Sequence, residues 1–382
     1  MPRPSRPARI AVCSCRWPVE VWLTLACQLI LGCGLALSAA SCADPVDNGF
    51  LAPRRSYPAE PPSGDALRLE ANELPVGKTR LKLGISPFES AERTRTDLAP
   101  LAKMVGAMLG VPLEITPADS YQALVQAVSS GEVDIALLSP VSYAHARRLQ
   151  PKLQLVAQVI SQGVIEYASF IVVRSDDPAQ DLADLHGRRM AWVDPLSASG
   201  FIYPLAAFHR AGQVPEKTLK SQKFYGTHEA ALQAVLSGEA DACAVASGTF
   251  ERLVSTKGSD QQRASLRVLH KSGKIPFDAL VVSSHLSAES ARRIGWAFRN
   301  VSSRTPAGRA VLAPTWGLRG WVPADDAAYN GARALMEEAA ALQGAALPAA
   351  ATSVGQPAAI LRAPESAKPE PDAAKRSFHR VQ

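Results

Sequence analysis

Cysteine is almost missing from the bulk of this chain. Five of its six cysteines, Cys13, Cys15, Cys27, Cys33 and Cys42, crowd into the first 42 residues, and Cys243 stands alone in the rest. A disulfide needs two thiols, so a disulfide-stapled scaffold is excluded and the body must stand on an apolar core. Cys243 lies in an apolar run and reads as a small buried hydrophobe. Blocks of lysine and arginine are also absent, which argues against nucleic-acid binding. The formal charge is +6, of which +3 belongs to residues 1–42, where four Arg face one Glu. Histidines are scattered without metal-ligand spacing, and no glycine pattern matches a nucleotide loop, so neither metal nor cofactor is expected. Asp176-Asp177 and Asp325-Asp326 read as loop or cap acids; Trp192, Trp296, Trp316 and Trp321 read as packing or rim aromatics.

Both ends differ from the middle. Arg3, Arg6, Arg9 and Arg16 precede an apolar run of 17 residues, Val21 to Leu37, followed by Ser38, Ala39, Ala40, Ser41 and Cys42. A basic start, an apolar stretch and small residues predict a cleaved secretion signal over 1–42, with an uncleaved anchor as the alternative. Cys42 is the candidate lipidation site, although Ala39 stands where a lipoprotein box usually has Leu. Residues 43–78 are rich in Pro, Ala and polar groups and read as a flexible tether. Residues 343–382, rich in Ala, Pro, Lys and Glu, read as a disordered tail.

The body between them alternates strands and helices. Leu81–Ile85 and Val111–Ile115 read as strands, and Asp97–Leu109 as a helix with a stripe of Leu98, Leu101, Val105 and Met108, stopped by Gly110. Such alternation predicts an α/β fold with mostly parallel sheets. An internal echo sharpens this. Ser120–Pro140 and Thr227–Ser247 agree at eight of 21 positions without a gap, including Gln126/Gln233 and Asp134/Asp241. Each copy is a cap, a helix, a glycine stop and an apolar strand, which predicts two similar lobes. Two further apolar runs, Ser169–Val173 and Asp278–Val282, are candidates for crossover strands. Lobe one then takes 79–170 and 279–342, including the helix with Ile294, Trp296 and Phe298. Lobe two takes 171–278, and a cleft lies between them that can hinge shut.

Candidate chemistry gathers at two helix starts. Asp194-Pro195-Leu196-Ser197-Ala198-Ser199-Gly200 follows a strand, Arg189–Val193, and precedes a helix expected at about Phe201–His209. A serine-rich turn there offers hydroxyls and free amides to an oxyanion, although it also suits an ordinary N-cap. His228, after Gly226-Thr227, opens the second copy of the echo and can donate to an anion through charge-assisted bonds, or be a surface histidine. Tyr121 holds the matching place in the first copy.

Taken together, Asp194 to Gly200, Pro204, Gly226-Thr227-His228 and Gly238-Glu239-Ala240-Asp241 follow the pattern Asp-Pro-x-Ser-Thr-Ser-Gly, Pro, Gly-x-His, Gly-x-x-Asp. Over about residues 80–335 the chain resembles the periplasmic phosphate/phosphite/phosphonate-binding proteins of ABC transporters. The resemblance implies a two-lobed periplasmic binding protein fold of type II, joined by two crossover strands. It implies capture of a small phosphorus oxyanion by lobe closure, a membrane permease as partner, and no catalysis. Carried over residue by residue, it places ligand contacts on Ser197, Ala198, Ser199 and His228, on Tyr121 and Tyr167, and on Asp278. Ala198 replaces the family's Thr. The glutamate that meets the amine of aminoalkylphosphonates falls near Gly248, with Glu251 the nearest acid, so a ligand without an amine is expected. The protein is expected to be a periplasmic monomer, lipid-anchored if Cys42 is modified. Two alternatives remain at this level: a ligand-binding sensor signalling to a membrane partner, and an enzyme on the same scaffold, for which Cys243 lies inside an apolar strand and Ser197 or Ser199 has only His228 as a base within reach.

Overall fold

The computed structural model describes residues 64–255, 265–315 and 317–342. The signal segment with Cys42, the first part of the tether, Trp316 and the tail lie outside the described residues. Lobe one opens with β1 (Leu81–Ile85), α1 (Ala91–Leu109), β2 (Leu113–Pro117), α2 (Tyr121–Ser130), β3 (Ile135–Leu138), α3 (Pro140–Leu149) and β4 (Gln154–Ser161). Helix α1 begins earlier than its stripe suggests because Ser90 caps it, accepting from the Arg93 N–H. Leu98, Leu101 and Val105 are fully buried, and Gly110 ends the helix in the left-handed region at φ 69°.

A short strand β5 (Glu166–Tyr167) leads to lobe two: β6 (Ser169–Arg174), β7 (Arg189–Trp192), a wide helical turn Ala198–Ile202 running into α4 (Tyr203–Arg210), α5 (Pro215–Thr218), β8 (Ser221–Phe224), α6 (His228–Leu236), β9 (Ala242–Ala246), α7 (Ser247–Ser255) and β10 (Leu266–Lys271). The chain returns through β11 (Ile275–Pro276) to β12 (Ala279–Val282), α8 (Ala288–Asn300), α9 (Pro306–Leu312), β13 (Leu318–Val322) and α10 (Asn330–Leu342).

The sheets run β2-β1-β3-β12-β4-β13 and β8-β7-β9-β6-β10, the same order over their first five strands. They are mixed, not mostly parallel. The three strands at each matching edge pair in parallel, but the strand arriving from the other half (β12 or β6) and the one beyond it are antiparallel. The echo maps onto α2–β3 and α6–β9, and its two aspartates do the same job. Asp134 accepts from the Lys82 N–H (2.8 Å), and Asp241 from the Arg189 N–H (2.8 Å). Each pins the start of one parallel strand to its neighbour. Asp241 also takes two bonds from the Arg189 guanidinium, at 3.1 and 2.6 Å, which hold its carboxyl below the usual range.

The crossing itself is made by β5 and β11, paired antiparallel through Ile275/Tyr167 and Pro276/Glu166. The runs read as crossover strands lie one step further on. Ser169–Val173 falls in β6, inside the second sheet, and Ala279–Val282 is β12, inside the first. Both runs are buried throughout and need a strand on each side, which a two-stranded ribbon cannot supply.

Two margins also differ from expectation. Part of the expected tether packs onto lobe one: Leu67 and Leu69 are buried, and the Leu69 N–H donates to Leu109 O at 2.9 Å. Arg293 on α8 grips this segment through the Glu73 carboxylate (3.1 Å), and Lys78 pairs with buried Asp134. The last helix, α10, does not belong to lobe one alone. It packs on α3 of lobe one and on α4 and the turn 198–202 of lobe two.

Asp241→Ala should lower the free energy of unfolding by about 2 kcal/mol at pH 7, since bonds to a charged group are lost. A depressed carboxyl stabilises above the ordinary carboxylate pKa, near 4, and loses its effect as pH falls through the lower folded value. Urea unfolding at pH 7 and pH 3 should therefore show a clear gap that shrinks in acid.

Candidate functional site

Both lobes turn their strand-to-helix loops toward one interface. In lobe two the Asp194–Gly200 loop is wound tightly. Ser197 Oγ accepts the Gly200 N–H at 3.0 Å, and the Ile202 N–H reaches Ser197 O at 3.1 Å, so the helix starts at Ala198 as a wide turn rather than near Phe201. Gly200 is required here: a Cβ would sit 2.4 Å from Val193 and 2.8 Å from Ser197 Oγ. Ser197, Ala198 and Ser199 are buried. Ser199 Oγ accepts from the Tyr167 hydroxyl at 3.3 Å, and its carbonyl accepts from Ser169 Oγ at 2.5 Å, which ties the loop to the hinge.

The lobes meet at this loop. Ser139 and Ser142, at the start of α3, donate their hydroxyls to Leu196 O at 2.9 and 3.3 Å. Asp194 Oδ1 accepts the Leu196 N–H at 2.8 Å, and its carboxyl also takes the Tyr121 backbone N–H at the start of α2. Burial nevertheless pushes Asp194 up to about 6.

Tyr121 is one of several buried side chains whose polar atom lacks a partner at full hydrogen-bonding geometry. Its hydroxyl is buried and has no partner at hydrogen-bonding geometry, although it points toward Ser197 and feels Asp194, Asp278 and Tyr167. An unsatisfied buried hydroxyl is expensive, so a group able to bond to it is favoured at this place. Tyr167 stacks on Phe277, ring centroids 4.8 Å apart, and lies close to Asp278. Asp278 is hemmed in by protein yet keeps some accessible surface, and burial pushes its carboxyl up to about 7. The structure thus gathers Tyr121, Tyr167, Ser197, Ser199 and Asp278 at the lobe interface, with the Ala198 amide in the same turn.

His228 sits at the start of α6, on a loop held against β7 by the Gly226 N–H bond to Val193 O (2.8 Å). It is not a charged surface histidine. It is buried, its Nδ1 accepts the Ala246 N–H at 3.1 Å, and burial with nearby Arg252 pulls its pKa down to about 3. The ring is therefore neutral with its proton on Nε2, a single directed donor that carries no charge of its own. Across the interface the Phe88 ring lies nearly parallel to it, 6.4 Å away.

Ser139, Ser142, Phe88 and Glu89 were not legible as interface residues. The echo held the signal for Ser139, since its last positions, Ser139-Pro140 and Ala246-Ser247, open α3 and α7 at matching places. Glu251 is exposed, so no acid takes the place of Gly248. Two surface hollows, of about 540 and 260 Å³, lie on lobe one beside His285 and Arg299 and involve none of these groups.

Two lobes on a two-strand hinge, with helix starts and hydroxyls converging between them, define a periplasmic binding protein. The family model for the periplasmic substrate-binding protein of phosphonate ABC transporters matches residues 83–329, and the chain belongs to that family. It is 28% identical over 272 residues to a phosphate-import protein of Mycolicibacterium smegmatis, covering 66% of this chain and 84% of that one. It is likewise 28% identical over 248 residues to the phosphonates-binding periplasmic protein of Escherichia coli, covering 64% and 71%. Its fold superposes with a TM-score of 0.62 on a Prochlorococcus marinus binding protein solved with methylphosphonate, at 19% identity over 68% of this chain and 98% of that one.

Unfolded, Asp278 ionises near pH 4; folded, at about 7. The unfolded state binds fewer protons between those values, so this group lowers stability as pH rises through that window. Asp278→Asn should then be more stable than wild type at pH 7.5, by up to about 4 kcal/mol, and about equal at pH 4. Urea unfolding at both pH values decides it; a variant less stable at pH 7.5 would contradict the buried-carboxyl reading.

Proposed function

We propose that the protein captures a small phosphorus oxyanion lacking an amine, namely phosphite, methylphosphonate or phosphate, and hands it to an inner-membrane permease. The observation that carries this reading is the convergence of the buried Tyr121 hydroxyl, the 197–200 turn and the half-titrated Asp278 at the lobe interface. An oxyanion would accept from Tyr121, from the Ser197 and Ser199 hydroxyls, from amides of the 197–200 turn and from His228 Nε2–H. A P–OH proton would go to Asp278 as carboxylate. Above its pKa, Asp278 repels an anion with no proton to offer, so a sulfonate of the same shape should bind less well. Each bond to the anion contributes roughly 1.5–3 kcal/mol in a site shielded from water. Ala198 contributes only its amide. At the other end of the ligand Gly248 supplies no carboxylate and Arg252 is a cation one turn on, so an ammonium group finds a poor partner.

Capture proceeds without bond-making. His228 Nδ1 is already engaged by the Ala246 amide, and the Cys243 thiol is buried and pushed far up, which leaves neither a base poised for Ser197 nor a ready thiolate. On this reading the chain works as a monomer in the periplasm, held to the membrane through a lipid on Cys42 or released by cleavage nearby. The curated relatives support it, as one is a phosphate importer and another binds phosphonates.

Titration calorimetry against phosphate, phosphite, methylphosphonate, methanesulfonate and 2-aminoethylphosphonate tests the ligand class. At least one of the first three should bind in the micromolar range or tighter. Ser197→Ala and His228→Ala should each weaken it by about 10-fold or more, the worth of one such bond. Tight binding of 2-aminoethylphosphonate alone, or of none of these anions, would overturn the proposal.

A further inference from the structure

Beside the anion site, but outside its ring of donors, the two lobes also meet through charge. Glu89 lies in the loop between β1 and α1 of lobe one, and its side chain has no exposed surface. Its Oε1 accepts from Arg252 Nη2 at 3.2 Å, and Arg252 belongs to α7 of lobe two. Its Oε2 lies 2.9 Å from Arg93 Nε, one turn along its own lobe, and Arg93 in turn lies 3.5 Å from Asp97. Glu229, on α6 of lobe two, completes the group: burial and the neighbouring Glu89 raise its pKa, while Arg252 and Arg93 act the other way.

The pattern is asymmetric. Arg93 and Glu89 travel together, so their contact survives any movement of one lobe against the other. The Glu89–Arg252 contact spans the two lobes, so a movement of one against the other would part it. A carboxylate fully out of water beside one exposed cation of its own lobe is undersupplied, and Arg252 supplies the second positive charge. Arg252 is itself one-third exposed, which keeps the pair weak enough to part. The pair also adjoins the site: Phe88, next to Glu89, faces His228, and Arg252 is near enough to oppose protonation of that imidazole.

We propose that Glu89 and Arg252 form an interlobe latch that stabilises the closed form, acting as positioning residues that set ligand affinity without touching the ligand. This rests on capture by lobe closure. Whatever anion is bound, its apparent affinity is the intrinsic affinity of the closed cleft scaled by how much of the protein is closed. Loosening the latch therefore weakens every ligand by a similar factor and leaves their order of preference alone. A residue of the cleft wall would change that order.

The test is a double-mutant cycle on the full chain, with methylphosphonate, phosphite and phosphate as probes in calorimetry and small-angle scattering of the ligand-free proteins. Glu89→Gln and Arg252→Gln should each weaken all probes about 5- to 10-fold, in the range of ordinary coupling between sites. The double variant should be no weaker than the worse single one, and Arg252→Lys, which keeps the charge, should retain most of the affinity. Both single variants should show a larger radius of gyration than wild type without ligand. Additive losses, or wild-type affinity together with unchanged scattering, would overturn the latch. If Glu89→Gln fails to fold, Arg252→Gln against Arg252→Lys carries the same comparison. Should wild type bind none of the probes, the ligand assignment fails while the scattering comparison still decides whether the pair holds the lobes together.

Discussion

Shutting two lobes on one another takes polar groups out of water, and each must then find a partner inside the protein or in what the protein binds. Most find one nearby. Ser139 and Ser142 settle on Leu196 O, Asp194 on the amides of Leu196 and Tyr121, and His228 Nδ1 on the amide of Ala246. Tyr121 and Asp278 are met only in part, one a hydroxyl facing Ser197 short of full hydrogen-bonding geometry and the other a carboxyl kept near neutrality by burial. The chemistry of the cleft follows from that imbalance: it suits a guest that both accepts and donates, as a partly protonated oxyanion does.

The same constraint explains what could be seen in the sequence. Repetition of a cap, a helix, a glycine and an aspartate was visible because backbone bonding enforces it; Asp134 and Asp241 each clamp a parallel strand, and the clamp has a fixed spacing. The serine-rich turn was visible because tight winding requires Gly200 and an N-cap. What stayed hidden depends on burial, which spacing does not encode. His228 carries an imidazole either way; only its enclosure and its bond from Ala246 make it neutral. Whether an apolar run crosses between lobes or lies one step inside a sheet turns on its neighbours, so β5 and β11, two residues each, left no pattern to read. Leu67 and Leu69 sat among prolines and polar residues, and their packing against α1 and α8 becomes apparent only once those helices are in place.

Likeness between the halves does not extend to their decoration. Asp134 is held by Lys78 and His285 from outside its repeat, whereas Asp241 is held by Arg189 from within its own sheet. Tyr121 and His228 open matching helices yet present a phenol and an imidazole, so one scaffold used twice carries two different donors at equivalent positions.

The order in which strands arrive has a consequence for assembly. β12 occupies the middle of the first sheet, between β3 and β4, but it is made only after the whole of lobe two. Its pairing of Ala279 with Leu138 closes a loop that contains an entire globular unit. Lobe two, contiguous from β6 to β10, can collapse on local contacts, whereas lobe one must wait with its sheet divided and two apolar edges exposed. A chain emerging amino end first therefore completes its second half before its first, and the interval between the two is when it is most open to aggregation.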